Sequence, residues 1–163
     1  MYERILVPLE HSAADDTILA HVRDLARLCG SELLLIHVAD GFAARNQEQL
    51  HLRESEEMKD DRAYIERVCD ELEAEGFRCD AVLASGDPAK EIAAAAAREK
   101  ASLIAMSTHG HRLLGDLIHG SVANEVRHQS MVPVLLVRCP TTKDASRPPA
   151  SGTRRPSGGG LAQ

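Results

Sequence analysis

Short apolar runs and longer amphipathic stretches follow one another along the chain, and this pattern predicts the secondary structure. Five apolar runs predict strands covered on both faces, because a strand with one solvent face alternates apolar and polar residues. They occupy residues 4–9, 32–38, 77–84, 102–106 and 132–138. Apolar residues spaced three and four apart predict four helices between these strands. The helices occupy residues 12–29, about 47–75, 89–100 and 120–129.

Capping residues mark the ends of several of these helices. Ser12, followed three residues later by Asp15, predicts an N-cap with a loose capping box. Asp87 and Pro88 predict an N-cap and a first helical residue. Two helices are predicted to end at glycines, which adopt the left-handed conformation of a C-cap: Gly30 and Gly76.

The order of the elements predicts the fold class. A helix follows a strand four times before the last strand, which is typical of an α/β protein with a doubly wound parallel sheet and helices on both faces. We expect a single domain over residues 1–140, because the chain has no internal repeat and a length that suits one core. Residues 141–163 are rich in Ser, Pro, Gly and Arg and predict a disordered tail. Its basic residues either contact a partner or do nothing.

Composition and charge argue against nucleic-acid binding. Hydrophobic residues make up 44% of the chain, but aromatic residues only 2%, so a base-stacking surface is not expected. The net charge is −6, whereas nucleic-acid binders carry basic patches. Ten acidic residues fall within residues 54–75, which is typical of a solvated helix face.

Cysteine usage and the absence of targeting segments favour the cytoplasm. The four cysteines, at positions 29, 69, 79 and 139, form no Cys-x-x-Cys pair, so neither a zinc knuckle nor a redox dithiol is indicated. Cys29 and Cys69 fall on apolar helix faces and are expected to be buried free thiols. The sequence shows no signal peptide and no apolar run of membrane-spanning length, so no membrane contact is expected.

A motif after the fourth strand carries the strongest chemical signal. Ser107-Thr108-His109-Gly110 is followed, after nine residues, by Gly120-Ser121 at the start of a helix. Glycine lets the backbone approach a ligand closely, and the free N–H groups of a first helical turn bind anions. The motif therefore predicts binding of a nucleotide phosphate.

Other polar residues are predicted to lie at the same edge of the sheet. In a doubly wound sheet, ligands bind beyond the carboxyl ends of the strands, where the strand order reverses. Four of the predicted strands are followed there by short polar segments: residues 10–12, 40–41, 85–88 and 107–111. This convergence supports a ligand site at that edge.

Six segments make the chain similar to the universal stress protein family over residues 2–138. They read ILVPLEHS, LLLIHV, SGDPAKEI, STHG, GSVANEV and VPVLLVR. The resemblance implies a five-stranded parallel sheet of order 3-2-1-4-5, in a Rossmann-like three-layer sandwich related to adenine-nucleotide hydrolase-like folds.

The resemblance also implies an ATP site. ATP-binding members have a Gly-x-x-Gly pair, nine residues, then Gly-Ser or Gly-Thr, so Gly110, Gly120 and Ser121 would surround the phosphates. Ser107 replaces the first glycine, from which we expect weaker rather than abolished binding. Adenine and ribose would lie near the ends of the first two strands. The full predicted set is Pro8, Leu9, Glu10, Val38, Met106, Ser107, His109, Gly110, Arg112, Gly120, Ser121 and Val122.

Several of these residues keep alternative interpretations. Glu10, where the family usually has Asp, either contacts adenine, ribose or a water-bound Mg²⁺, or caps the following helix. His37 is expected to be a hydrogen-bonded structural residue. Histidines 109, 111 and 119 have no Asp, Glu or Cys to complete a metal site. The hydroxyl groups lack an activating base, and no Gly-Lys-Ser/Thr phosphate loop occurs, so no catalytic residue is assigned.

The last strand predicts a homodimer. An apolar strand at a sheet edge needs a cover, and the resemblance implies pairing with a second copy through this strand. The expected interface residues are Val132, Val134, Leu136 and Val137; the alternative cover is the C-terminal tail. The sequence thus indicates a homodimeric, ATP-binding regulatory protein of the stress response, with Mg²⁺ accompanying ATP. The alternatives are a nucleotide-free protein that acts through dimerisation and protein partners, and a slow ATPase.

Overall fold

Strands and helices alternate throughout the computed structural model, which describes residues 1–39, 56–108 and 121–139. The strands are β1 (Arg4–Leu9), β2 (Glu32–Ala39), β3 (Cys79–Ser85), β4 (Leu103–Thr108) and β5 (Val134–Arg138). The helices are α1 (Ala14–Cys29), α2 (Glu56–Ala74), α3 (Pro88–Arg98) and α4 (Ser121–Gln129). Residues 47–55, which the sequence assigns to the second helix, and the tail at 141–163 lie outside the described residues.

All five strands are parallel and form one sheet of order β3-β2-β1-β4-β5, as predicted. One core lies between the sheet and helices α1 and α2, and centres on Val7, Leu35 and Ile65. A second core lies on the other face, against α3 and α4, and centres on Leu6 and Ile104. The predicted three-layer α/β arrangement is confirmed. None of the helices in the described part of the chain is long and apolar enough to cross a membrane.

Capping geometry corrects the predicted start of the third strand. Gly76 has φ 93°, and the N–H of Phe77 donates to the carbonyl of Leu72 at 3.1 Å. Phe77 therefore completes the C-cap of α2, as a residue after a left-handed glycine commonly does. The strand begins only at Cys79. Gly30, with φ 67°, ends α1 as predicted.

Proline and strand pairing account for the other differences in strand bounds. Pro133 has no N–H for the ladder, so β5 begins at Val134 and not at Val132. β4 runs past Met106 because Ser107 and Thr108 pair with β5. Smaller shifts occur at the ends of β2 and β3, which extend one residue further and pair there with each other, Ala39 with Ser85.

The described helix ends differ from the predicted ones by one or two residues. The N-cap of α1 is Ala13, one residue after Ser12, although the Ser12 hydroxyl still accepts from the N–H of Ala14 at 3.2 Å. α3 begins as predicted, with the Asp87 side chain accepting from the N–H of Lys90 at 3.1 Å. It ends at Arg98 and not at residue 100. Cys69 is buried as predicted, whereas Cys29 is only half-buried.

Candidate functional site

The pairing between β1 and β4 stops short of their carboxyl ends, which leaves an opening in the ladder of the sheet. The chain passes from β1 outward to β3 and then returns to β4 on the other side, so the strand order reverses between β1 and β4. The ladder between these strands consists of two pairs, Ile5 with Leu103 and Leu6 with Ile104. Both strands continue beyond those pairs. An opening at this position is where doubly wound sheets bind ligands.

Pro8 explains why the ladder stops. The N–H and carbonyl of Arg4 both bond to Ser102, which precedes β4. Alternate residues of a strand face the same neighbour, so Leu6 and Pro8 also direct their backbone groups toward β4. Proline has no N–H to donate. The predicted site residue Pro8 therefore helps to open the sheet.

The apolar residues of the predicted site divide between the two faces of the sheet. Val38, Met106 and Val122 pack in the same core, on the face covered by α3 and α4. Leu9 instead packs in the core beneath α1 and α2. Three of the predicted side chains thus lie on one face of the sheet, whereas the side chain of Leu9 lies on the other face and its carbonyl accepts a hydrogen bond from His37 of β2.

Ser107 lies in an ordinary extended strand. It pairs with Val137 in β4 and is 8% exposed. Among the described residues, the non-glycine positions with positive φ are His11 and Lys100. Serine at this motif position therefore carries no backbone strain.

Much of the phosphate motif lies outside the described residues, namely His109, Gly110, Arg112 and Gly120. Ser121 is the first residue of α4, so the motif ends at a helix N-terminus, as predicted. That terminus carries unpaired N–H groups and the positive end of the helix dipole. No group of three metal-ligating side chains occurs within residues 1–39, 56–108 and 121–139.

A buried carboxylate organises the loop after β1. Asp15 is 1% exposed and accepts from the N–H groups of Glu10, at 3.0 Å, and Ser12, at 3.1 Å. The hydroxyl of Tyr64, from α2, donates to the same carboxylate at 2.7 Å. Burial, and then the hydrogen bond to Asp15, raise the pKa of Tyr64 above its usual range. Only half of the capping box predicted for Ser12 and Asp15 forms, the bond from the Ser12 N–H to the Asp15 carboxylate, because the N–H of Asp15 donates to the backbone carbonyl of Ser12. That half belongs to a larger network that fixes the backbone of Glu10.

A second carboxylate joins the same loop to α2 and β2. His37 bonds through Nδ1 to the carbonyl of Leu9 at 2.9 Å, which confirms it as a hydrogen-bonded residue. Its Nε2 lies 3.2 Å from Asp61, and Nδ1 of His11 lies 3.0 Å from that carboxylate. Asp61 was not among the residues predicted from the sequence to lie at the site. Its position, four residues before the buried Ile65, was the available signal, because it puts an acidic residue on the apolar stripe of α2.

A surface cavity at the opposite edge of the sheet does not suit a phosphate. Its lining includes Arg27, Gly30, Gly76 and Phe77, where α1 and α2 end. The carbonyl ends of two helices repel an anion. Arg27 is already engaged, 3.1 Å from Glu75 and 4.9 Å above the ring of Phe77.

Comparison with known proteins gives consistent matches. The model of the universal stress protein family matches residues 1–138. Universal stress protein MJ0577 of Methanocaldococcus jannaschii is 30% identical over 158 residues, which cover 85% of this chain and 96% of that protein. Its solved structure matches with a TM-score of 0.73 and 30% identity, covering 87% of this chain and 99% of the other.

Two solved structures of nucleotide complexes share the fold. A universal stress protein from Archaeoglobus fulgidus in complex with dAMP has a TM-score of 0.60 and 20% identity, covering 83% of this chain and 97% of its own. A universal stress protein in complex with cAMP has a TM-score of 0.61 and 18% identity, covering 84% and 97%. The family match over residues 1–138 and the 30% identity to MJ0577 establish that the chain belongs to the universal stress protein family.

Proposed function

We propose that this protein binds an adenine nucleotide, ATP above all, in the opening between β1 and β4. The observation that carries the proposal is the early end of the β1–β4 ladder at the carboxyl edge of the sheet, the edge at which α4 begins in this topology. The sheet opens there, and an anion-binding helix end follows the glycine motif. The dAMP and cAMP complexes of related proteins support this ligand class.

Each part of the nucleotide has a matching surface in this proposal. The adenine ring packs against the apolar residues Val38 and Pro8, and the phosphates lie at the start of α4 near Ser121. Gly110 and Gly120 allow the backbone to approach the phosphates. Because Ser107 is extended and unstrained, it lowers the affinity little. Mg²⁺ would be held mainly by the phosphates, since the described residues offer no cluster of three ligating side chains.

The nucleotide acts in this proposal as a regulatory ligand of a homodimer. β5 is an edge strand whose Leu136 is 46% exposed, and Met131, which precedes the strand, is fully exposed. Pairing with a second copy would cover this edge. Val134 and Val137 are half-buried in their own cores and would contribute mainly backbone contacts. All four cysteines are free thiols, which suits the cytoplasm.

Isothermal titration calorimetry with ATP and Mg²⁺ tests the proposed site. The matched variants are G120V, which fills the motif position before α4, and G115V, which changes a glycine of the same segment outside the motif. We expect saturable binding by the wild type and G115V, and its loss in G120V. Equal binding by all three proteins would contradict the site. No binding up to millimolar ATP would contradict the function and favour action through protein partners.

A further inference from the structure

The contacts of Asp61 tie helix α2 to the end of β1. Asp61 and His37 are each 8% exposed, and both oxygens of the carboxylate face an imidazole nitrogen. His37 holds the last carbonyl of β1, that of Leu9, and His11 belongs to the loop that follows. Through His37, the side chain of Asp61 is thus linked to the last residue of β1, and through His11 it is linked to the loop that follows.

In neutral imidazole, the contacts of His37 bring two hydrogen-bond acceptors together. A carbonyl oxygen only accepts, so Nδ1 of His37 carries the hydrogen that bonds to Leu9. Neutral imidazole then has no hydrogen on Nε2, the atom 3.2 Å from Asp61. Two acceptors face each other unless a proton lies between Nε2 and the carboxylate, whichever of the two groups holds it. The other oxygen accepts from His11 when Nδ1 of that imidazole carries the hydrogen.

The backbone of His11 points to the same constraint. His11 has φ 57°, a conformation that costs a residue with a side chain about 1 kcal/mol. Such strain persists where the surroundings over-determine the position. Here the imidazole contacts Asp61 and stacks on Tyr64 with 4.0 Å between ring centroids.

We propose that Asp61 is a positioning residue for the loop at residues 10–13, which it holds against β1 through a proton shared with His37 and a hydrogen bond to His11. The proposal rests on the proposed function, because this loop borders the nucleotide opening. Loss of the shared proton at higher pH releases the loop and weakens nucleotide binding. Other titratable or charged groups among the described residues are Tyr64, which stacks on His11, its partners Asp15 and Arg67, and Glu10 and Arg62, which are adjacent in sequence to His11 and Asp61.

The D61N variant separates the shared proton from the shape of the contact. Its amide accepts from His11 and donates to the neutral Nε2 of His37, so the contacts survive without the additional proton. D60N is the matched control, because Asp60 is adjacent and exposed. D61A removes both contacts.

NMR of the ligand-free, full-length protein tests the positioning directly. The imidazole signals of His37 and the amide signals of Glu10 and Ser12 are followed from about pH 5.5 to 8.5, the range in which histidine changes charge. We expect a shared midpoint in the wild type and D60N, and no shared titration in D61N. Amides that do not follow His37 in the wild type, or that follow it equally in D61N, overturn the proposal.

ATP titrations at the two ends of that pH range connect the loop to the ligand. We expect the affinity of the wild type for ATP to fall more steeply with rising pH than that of D61N. The ionisation of ATP itself affects both proteins equally, so the difference between them reports the role of Asp61. D61A should bind about tenfold more weakly at low pH, the effect of one lost charge-assisted hydrogen bond. A wild-type loop that titrates as expected in a protein that binds no ATP supports the role of Asp61 and refutes the proposed function. Equal pH dependence in wild type and D61N refutes the role of Asp61 alone.

Discussion

Single residues at the carboxyl edge of the sheet combine burial with charge. Asp15 and Asp61 both lie on the inward faces of their helices, where apolar residues are the rule. Asp15 accepts hydrogen bonds from two N–H groups of the loop after β1, and Asp61 lies 3.0 Å from Nδ1 of His11 in the same loop. Buried charges are tolerated when they are hydrogen-bonded in this way. The loop backbone beside the proposed ligand is therefore fixed from two directions.

Replacing Ser107 with the glycine of the family motif should change the affinity for ATP little. Because Ser107 is already extended, the S107G variant relieves no strain, and its ATP affinity should stay within about threefold of the wild type. Glycine within a strand should lower the free energy of unfolding by about 1 kcal/mol. Calorimetric titration and urea unfolding measure the two effects. A tenfold gain in affinity would show that serine obstructs the site.

Two buried thiols predict a loss of stability at alkaline pH. Burial, followed by the hydrogen bond with Cys69, raises the pKa of Cys79 above its usual range. Above about pH 8.5 the unfolded chain loses this proton while the folded protein keeps it, so stability falls as pH rises. C79S, which has no thiol to ionise, should show a smaller decline in unfolding free energy from about pH 8 to 10. An equal decline in C79S and wild type, with C29S as control, would contradict this.

Local chemistry decides where the elements begin and end. Pro133 delays β5, and the left-handed Gly76 assigns Phe77 to the cap of α2. Pro8 ends the β1–β4 ladder early and thereby opens the sheet at the proposed site. In the two proline cases the decisive group is a missing N–H, which apolar patterning alone does not register.

The side chain of Asp87 caps the N-terminus of α3, so replacing it should lower the free energy of unfolding. The Asp87 side chain accepts from the N–H of Lys90 at 3.1 Å. D87A should lower the free energy of unfolding by about 1 kcal/mol, whereas D87N, which keeps an acceptor oxygen, should cost much less. Urea unfolding measures both variants. Equal losses in the two variants would show that charge and not the capping hydrogen bond stabilises this end.

Sequence patterns predicted every described element, because the strands are short continuous apolar runs and the helices repeat apolar residues three and four positions apart. The bounds moved where pairing partners decide them, as when β5 extends β4 through Ser107 and Thr108. The contacts of Asp61 with His11 and His37 were not predicted. They join residues up to 50 positions apart in sequence, and only the packing of α2 on the sheet brings them together.

For the whole molecule, β5 is the open edge that the proposed dimer covers. We expect L136E to convert the dimer to a monomer, because a buried charge on each copy would face the interface. L28E is the matched control, since Leu28 is 86% exposed on α1, a helix rather than the sheet edge. Light scattering after size-exclusion chromatography measures the mass of each protein. A wild type that is monomeric, or an L136E variant that remains dimeric, would contradict this interface.

The amide signals that shift when ATP is added report where the nucleotide binds to the protein. Binding in the opening should shift the signals of Glu10, Val38 and Thr108 together with those of the first turn of α4. The signals of Gly30 and Gly76, at the opposite edge, should stay unchanged. Shifts confined to those two glycines would contradict the proposed site, and a spectrum unchanged by millimolar ATP would contradict nucleotide binding itself.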